Sequence, residues 1–164
     1  MCMYKSIFLY VYMCVSLMWY VSMCDLFIGL TQGKDAIDLS VDFEKRVEKI
    51  FLYCLVWTVG GLLETEYRIK FEEMLKGIDG SSFPECQPGE TIYEYYVDAK
   101  TGEWKVWRPP IWDYPEGVEK LDFSNLLVPT MDSTRAIYNT SQMQKNRKSV
   151  LMIGSEGTAK TSTA

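Results

Sequence analysis

Ser149-Val-Leu-Met-Ile153-Gly-Ser-Glu-Gly-Thr-Ala-Lys-Thr161 is the stretch that decides how the rest of the chain is read. An apolar run of strand length leads into a glycine-bearing segment that ends on lysine and threonine, the layout of a phosphate-binding loop. The residue types follow from the chemistry. A buried strand delivers glycines whose missing side chains let backbone N–H groups curl around phosphates, a lysine neutralises the terminal phosphates, and a hydroxyl reaches Mg²⁺. Gly154, Lys160 and Thr161 fill the three decisive positions, with Gly157, Thr158 and Ala159 between them. Ala159 stands where the general pattern has glycine, so the turn into a following helix must use a conformation that a Cβ tolerates. The bland alternative is a strand followed by a frayed tail rich in Ser, Thr and Gly. A serine-hydrolase elbow is excluded: Ile153 occupies the glycine position two before Ser155, and the chain has no histidine.

Immediately upstream, Leu126-Leu127-Val128-Pro129 is an extended apolar segment leading to a helix that Asp132 can cap and that runs toward Arg147. Lys145, Arg147 and Lys148 form the tight basic cluster of the chain; cations suit a helix C-terminus, and a phosphate contact is the alternative. Further upstream, Ile92-Tyr93-Glu94-Tyr95-Tyr96-Val97 is rich in strand formers, Asp98 to Gly102 reads as a turn, and Trp104-Lys105-Val106-Trp107-Arg108 returns as a partner strand ending at Pro109-Pro110. The aromatics Tyr93, Tyr95, Trp104 and Trp107 suit cross-strand packing, with a stacking platform for a sugar or base as the alternative.

Before the hairpin the pattern is helical. Ser40 or Asp42 can cap a helix whose positions Val47, Ile50, Phe51, Cys54, Leu55 and Thr58 recur at three- and four-residue spacing. Gly60-Gly61 should divide it. Leu62, Leu63, Tyr67, Phe71, Met74 and Leu75 continue the apolar pattern, Glu64/Arg68 and Glu66/Lys70 are candidate i,i+4 pairs, and Gly77 and Gly80 bracket the stop. From Ser6 to Cys24 there is no charged residue, which approaches the roughly 20 positions needed to span a bilayer. Three readings stay open for that run: a core helix, a membrane anchor, or a faulty start to the reading frame. Its crowding with tyrosine and tryptophan argues against the anchor.

Composition narrows the function classes. A content of 48% hydrophobic and 14% aromatic residues indicates folded material. The formal net charge of -5 speaks against nucleic acid as a partner, since binding it requires a basic stripe. Cys2, Cys14, Cys24, Cys54 and Cys86 form no CxxC pair, and without histidine they make no convincing zinc constellation. Scattered thiols in odd number suit a reducing compartment.

Several separated motifs, in order, resemble dynein heavy chains, most closely the axonemal outer-arm type. They are Phe51-Leu-Tyr-Cys-Leu-Val-Trp-Thr-Val-Gly-Gly-Leu-Leu-Glu64, Cys86-Gln-Pro-Gly-Glu-Thr-Ile-Tyr-Glu94, Gly102-Glu-Trp104, Leu127-Val-Pro129 and Gly154-Ser-Glu-Gly-Thr-Ala-Lys-Thr161. The similarity covers roughly Asp25 to Thr161, and the alanine before the lysine also resembles the third AAA+ module of such chains. The resemblance implies an α+β fold: an apolar segment over 1–24, a helical lid-like region of the second AAA+ module over 25–80, a β-hairpin and loop region over 81–125, and over 126–164 the start of the third, an α/β P-loop module truncated after its Walker A loop. It further implies ATP and Mg²⁺ as cofactors, held by Gly154, Gly157, Thr158, Ala159, Lys160 and Thr161, with Thr161 on the metal and Val128 and Pro129 on the adenine side. The implied partners are the remaining AAA+ modules of the dynein ring, other dynein subunits and microtubules. The implied place is the cytoplasm and the ciliary axoneme. With only Ser162, Thr163 and Ala164 after the loop, the acidic strand, sensor, arginine finger and microtubule-binding stalk of the family are expected to lie outside this chain, and no catalytic residue is assigned; the chain alone is expected to be inactive. The competing readings are a small membrane-anchored or scaffold protein without nucleotide chemistry, and a complete small nucleotide switch, which the position of the loop disfavours.

Overall fold

A computed structural model describes residues 20–32, 40–78, 80–98, 101–113, 128–152 and 156. The described residues are mostly helical with one two-stranded antiparallel sheet, and the chain divides into two compact units, residues 1–106 and 107–164. Residues 1–19, which hold most of the uncharged N-terminal run, lie outside the described residues. Among the described residues no helix is long and apolar enough to cross a membrane.

The described residues of the first unit include three α-helices, α1 over residues 20–31, α2 (Phe43–Thr58) and α3 (Thr65–Ile78). Helix α1 buries Leu26 and Leu30. Asp42 is the N-cap residue of α2, but it sits in the left-handed region at φ 46° and makes no side-chain cap bond. The buried residues of α2 are Ile50, Leu52, Tyr53, Cys54 and Val56, so the expected stripe is corrected: Phe51 is 48% exposed. The reason lies in its neighbours. The helix is contacted by the turn after it, by residues 92–94 and by the first strand, so its covered arc is wider than one narrow seam and reaches Leu52 and Val56. Cys54 is fully buried, and burial, with Cys24 adding to it, pushes its thiol far above the ordinary range.

The Gly60-Gly61 break is real. A 3₁₀ turn (Gly60–Leu62) and an extended Leu63 separate α2 from α3. Gly60 is required there by space, since a Cβ would stand 2.2 Å from the Tyr93 hydroxyl and 3.1 Å from the Phe71 ring. Helix α3 keeps the Lys70–Glu66 pair at 2.8 Å. Arg68 does not turn its guanidinium to Glu64 as the spacing suggested; it donates to the carbonyls of Leu63 and Gly61, at 2.8 Å each. Two backbone acceptors at the helix break offer a fork-shaped donor more than one exposed carboxylate does. Among its apolar positions Leu75 is buried and Phe71 packs on the core, whereas Leu62, Tyr67 and Met74 are exposed.

The hairpin is present but shorter than expected. Ile92–Glu94 winds into a 3₁₀ turn, and only β1 (Tyr95–Val97) pairs with β2 (Trp104–Val106), with Tyr95 opposite Val106 and Val97 opposite Trp104. The turn is fixed by Gly102, at φ 68°, whose N–H donates to the Asp98 carbonyl at 2.8 Å. Tyr93, Tyr95 and Val97 are buried, and Tyr53 and Trp57 of α2 meet Trp104 and Tyr93 at ring-centroid distances of 6.4 and 6.0 Å. These aromatics pack the core, and the stacking-platform alternative falls away for Tyr93 and Tyr95 because their faces are covered. The Trp104 indole N–H donates to the Ser82 carbonyl at 2.8 Å, and the Ser82 hydroxyl donates to Glu48 at 2.8 Å. Buried Glu72 accepts from the Ile92 N–H at 3.2 Å and pairs with Lys76 at 2.7 Å, which raises the Lys76 pKa through that hydrogen bond.

The second unit contains α4 (Met131–Lys145). Its cap is Thr130, not Asp132: the Ser133 N–H donates to the Thr130 hydroxyl at 3.2 Å and the Thr130 N–H donates to the Ser133 hydroxyl at 2.9 Å. A reciprocal pair satisfies two backbone donors at once, and that leaves Asp132 in the first turn, where it meets Arg135 at 3.3 Å. The C-terminus closes with Arg147 in the left-handed conformation at φ 56°; its N–H donates to Gln144 at 2.8 Å and that of Lys148 to Met143 at 3.0 Å.

Candidate functional site

The residues chosen from the sequence as the phosphate cradle, Gly154, Gly157, Thr158, Ala159, Lys160 and Thr161, lie outside the described residues. Of the loop itself Glu156 is described, and it is an exposed turn residue. The approach to the loop departs from expectation: Ser149 to Met152 form no strand, and Leu151 is 79% exposed. A central strand of a parallel sheet is held by ladders on its flanks. Among the described residues no strand lies beside this run, so its N–H and C=O groups have no ladder to join.

Val128 and Pro129, placed on the adenine side from the sequence, are described, and they differ. Val128 is exposed, while Pro129 lines a cavity of about 370 Å³ together with Trp107, Pro110, Ser133, Thr134, Ile137, Tyr138 and Ser141. The cavity is built by local rules. Pro129 stands two residues before α4, and the helix then repeats cavity-lining positions at 133/134, 137/138 and 141, one face at three- and four-residue spacing. Trp107 closes it from the other side, with its buried ring edge-on to Tyr138 at 5.2 Å and 75°. This volume falls in the range of small-ligand pockets, and its walls are proline, isoleucine and aromatic rings with a few hydroxyls, a lining that suits a flat heteroaromatic group better than a charged one. The N-terminus of α4 is not a second phosphate site, because Thr130 and Ser133 already occupy donors of its first turn. Sequence reasoning found Pro129, named Trp107 among four aromatics with base stacking as the alternative to cross-strand packing, and missed Ile137 and Tyr138. The signal for the helical pair was the apolar character of Ile137 and Tyr138 on the helix beyond the proline.

The basic cluster is exposed at the end of α4, where Lys145, Arg147 and Lys148 sit beside the last carbonyls, the arrangement favoured by the helix dipole. Among the described residues no group of Cys, Asp or Glu side chains converges as a metal site.

Comparison with known proteins bears on both units. The sequence matches the dynein heavy chain AAA lid domain over residues 6–109 and the P-loop containing dynein motor region over residues 115–164. It is 38% identical over 124 residues, 73% of the chain, to the dynein gamma chain of the flagellar outer arm of Chlamydomonas reinhardtii. It is 31% identical over 87% of the chain to human dynein axonemal heavy chain 2, and 33% identical over 84% to human dynein axonemal heavy chain 8. The chain spans about 3% of the length of these curated relatives.

Proposed function

This chain belongs to the dynein heavy chain family, and we propose that it supplies one nucleotide junction of that family's AAA+ motor ring. In this reading residues 25–80 are the lid region of the second module, residues 81–125 the hairpin and loop region, and residues 126–164 the opening of the third. The observation that carries it is the ordered set Gly154, Gly157, Lys160 and Thr161 within the stretch that matches the P-loop containing dynein motor region. The ligand is ATP with Mg²⁺. Backbone N–H groups of Gly154 through Ala159 cradle the phosphates, Lys160 neutralises their charge, and the Thr161 hydroxyl supplies the oxygen that Mg²⁺ prefers. The base lies on the Val128-Pro129 side, where the cavity beside Pro129 offers an apolar wall of the right size.

For the full-length relative the same reading places this junction in an ATP-driven motor that moves along microtubules in the axoneme of cilia and flagella, alongside the other ring modules and dynein subunits. In this reading the positioning of water and the stabilisation of the transferring phosphoryl are assigned to other parts of the motor. Titration of the purified chain with a fluorescent ATP analogue tests this. We expect at most weak Mg²⁺-dependent binding, which Lys160→Ala weakens at least tenfold, and no ATPase activity above background. Equal binding by the Lys160→Ala variant refutes the loop assignment, and robust turnover abolished by that substitution refutes the assignment of hydrolysis to other parts of the motor.

A further inference from the structure

We propose that Arg68 is the latch of a rigid elbow that makes α2 and α3 move as one body. The joint between them is the kind of place where a helix pair flexes. A 3₁₀ turn of two glycines and a leucine followed by one extended residue interrupts the ladder, and carbonyls at such a break lose their intrahelical partners. Arg68 stands in the first turn of α3 and reaches back across the joint. Its Nη2 donates to the Gly61 carbonyl and its Nε to the Leu63 carbonyl, both at 2.8 Å. A planar guanidinium that holds two carbonyls two residues apart fixes their mutual orientation, which one point-like ammonium cannot do.

The inner side of the elbow is filled as well. The Arg68 guanidinium lies 5.1 Å from the centroid of the Tyr93 ring, and the same ring is edge-on to Trp57 of α2 at 6.0 Å. The Tyr93 hydroxyl occupies the space that a Cβ on Gly60 would need. One turn beyond Arg68, Glu72 accepts from the N–H of Ile92, the neighbour of Tyr93. Helix α3 therefore grips the 92–93 segment at two points while its latch holds the end of α2. A hinge needs a few residues free to absorb changes in φ and ψ. Here Gly60 is confined by side chains and the Gly61 and Leu63 carbonyls are held. A displacement of α2 is carried to α3 and to the foot of the hairpin instead of being absorbed at the glycines. This property is independent of the nucleotide reading above.

Amide hydrogen exchange on the full 164-residue chain tests it at the Leu62 and Leu63 N–H groups, which donate to Val59 and Gly60. In the unsubstituted chain we expect these two amides to be protected to a degree comparable with the middle of α2. Arg68→Lys keeps a cation over Tyr93 and loses the fork, and it should speed exchange at both amides at least tenfold while α2 and α4 amides are unchanged. Tyr93→Phe keeps the ring and should leave the joint protected. Unprotected joint amides in the unsubstituted chain, or wild-type protection in Arg68→Lys, overturn the latch. An equal acceleration throughout α2 overturns it too, because the role is then general stability. Opening by Tyr93→Phe equal to that of Arg68→Lys assigns the elbow to the phenol and not to the guanidinium.

Discussion

Tyr93→Phe is the most informative single substitution for the first unit. Tyr93 is 4% exposed, and among the described residues its hydroxyl has no hydrogen-bond partner. A buried hydroxyl of that kind costs about 1–3 kcal/mol in lost hydration. Phenylalanine removes the cost and keeps the ring between Arg68 and Trp57, at the expense of a small void beside Gly60 worth about 1 kcal/mol or less. At neutral pH the variant should be more stable by about 1 kcal/mol, which for a chain of this size raises Tm by roughly 2–4 °C. A second arm uses alkali. Burial pushes the Tyr93 phenol up to about 12 from 10.0, with the nearby Arg68 charge working against the shift. The folded state thus holds this proton more tightly than the unfolded chain, so its contribution is full below pH 10 and is lost as pH rises through about 12. At about 1.4 kcal/mol per unit the loss reaches about 3 kcal/mol at most. The chain has 11 tyrosines, so the quantity to read is the difference between the two proteins and not the slope of either. Urea unfolding followed by circular dichroism at pH 7 and pH 11 supplies it, with m unchanged. The variant's advantage should widen from pH 7 to pH 11. A Tyr93→Phe protein less stable by 1 kcal/mol or more at pH 7, or an advantage that narrows with pH, shows that the hydroxyl is satisfied and refutes the reasoning.

Gly60→Ala should cost about 2–3 kcal/mol through overpacking, and about 1 kcal/mol less in the Tyr93→Phe background, because the nearest atom to the new Cβ is the hydroxyl oxygen; additive effects in a double-mutant cycle contradict the contact. Arg147→Gly should stabilise α4 by about 1 kcal/mol, since a side chain at φ 56° is strained and glycine is not, and thermal unfolding monitored at a second-unit tryptophan reads the change. Ile137→Glu places a carboxylate in the wall of the cavity beside Pro129 at a half-exposed position; analogue binding should fall about tenfold with Tm altered little, as one lost apolar contact plus charge repulsion predicts. Unchanged affinity in that variant removes the cavity from the base site.

What the sequence made legible follows from how local each signal is. The Gly60-Gly61 break and the turn at Gly102 are set by residues within a few positions of one another, and each stands where the sequence put it. The exposure of Phe51 was not readable in this way. Helical spacing says that one face is apolar, but the burial of Leu52 and Val56 depends on Ile92, Tyr93 and Leu75, which come from far along the chain. Arg68 is a similar case. Its i,i+4 relation to Glu64 is a real sequence signal, yet it loses to two carbonyls that exist as acceptors only because the ladder breaks at Gly60. The cap of α4 shows competition at closer range: Thr130 and Asp132 are both good capping types, and the reciprocal bond with Ser133 decides between them.

The same distinction explains the candidate site. A phosphate loop is announced by residue types that act through their own backbone and side chains, so Gly154, Lys160 and Thr161 are informative in one dimension. The strand before it is announced by hydrophobicity alone, and hydrophobicity is a demand for partners, not a supply of them. Val150 and Leu151 are exposed because a strand of a parallel sheet is completed by neighbours on its flanks and covered by helices on its faces, and no described element fills either role. The cavity beside Pro129 needs no such help: Trp107 and one face of α4 enclose it within a single unit. A physical ordering follows for nucleotide binding by these residues. The wall proposed for the base is built by contacts already in place, whereas the proposed phosphate cradle follows a run, Ser149 to Met152, whose burial is not supplied by the described elements. Base-directed contacts should therefore survive substitutions in the Ser149 to Ile153 run better than phosphate-directed ones, and adenosine and ATP compared on the same variants would separate the two.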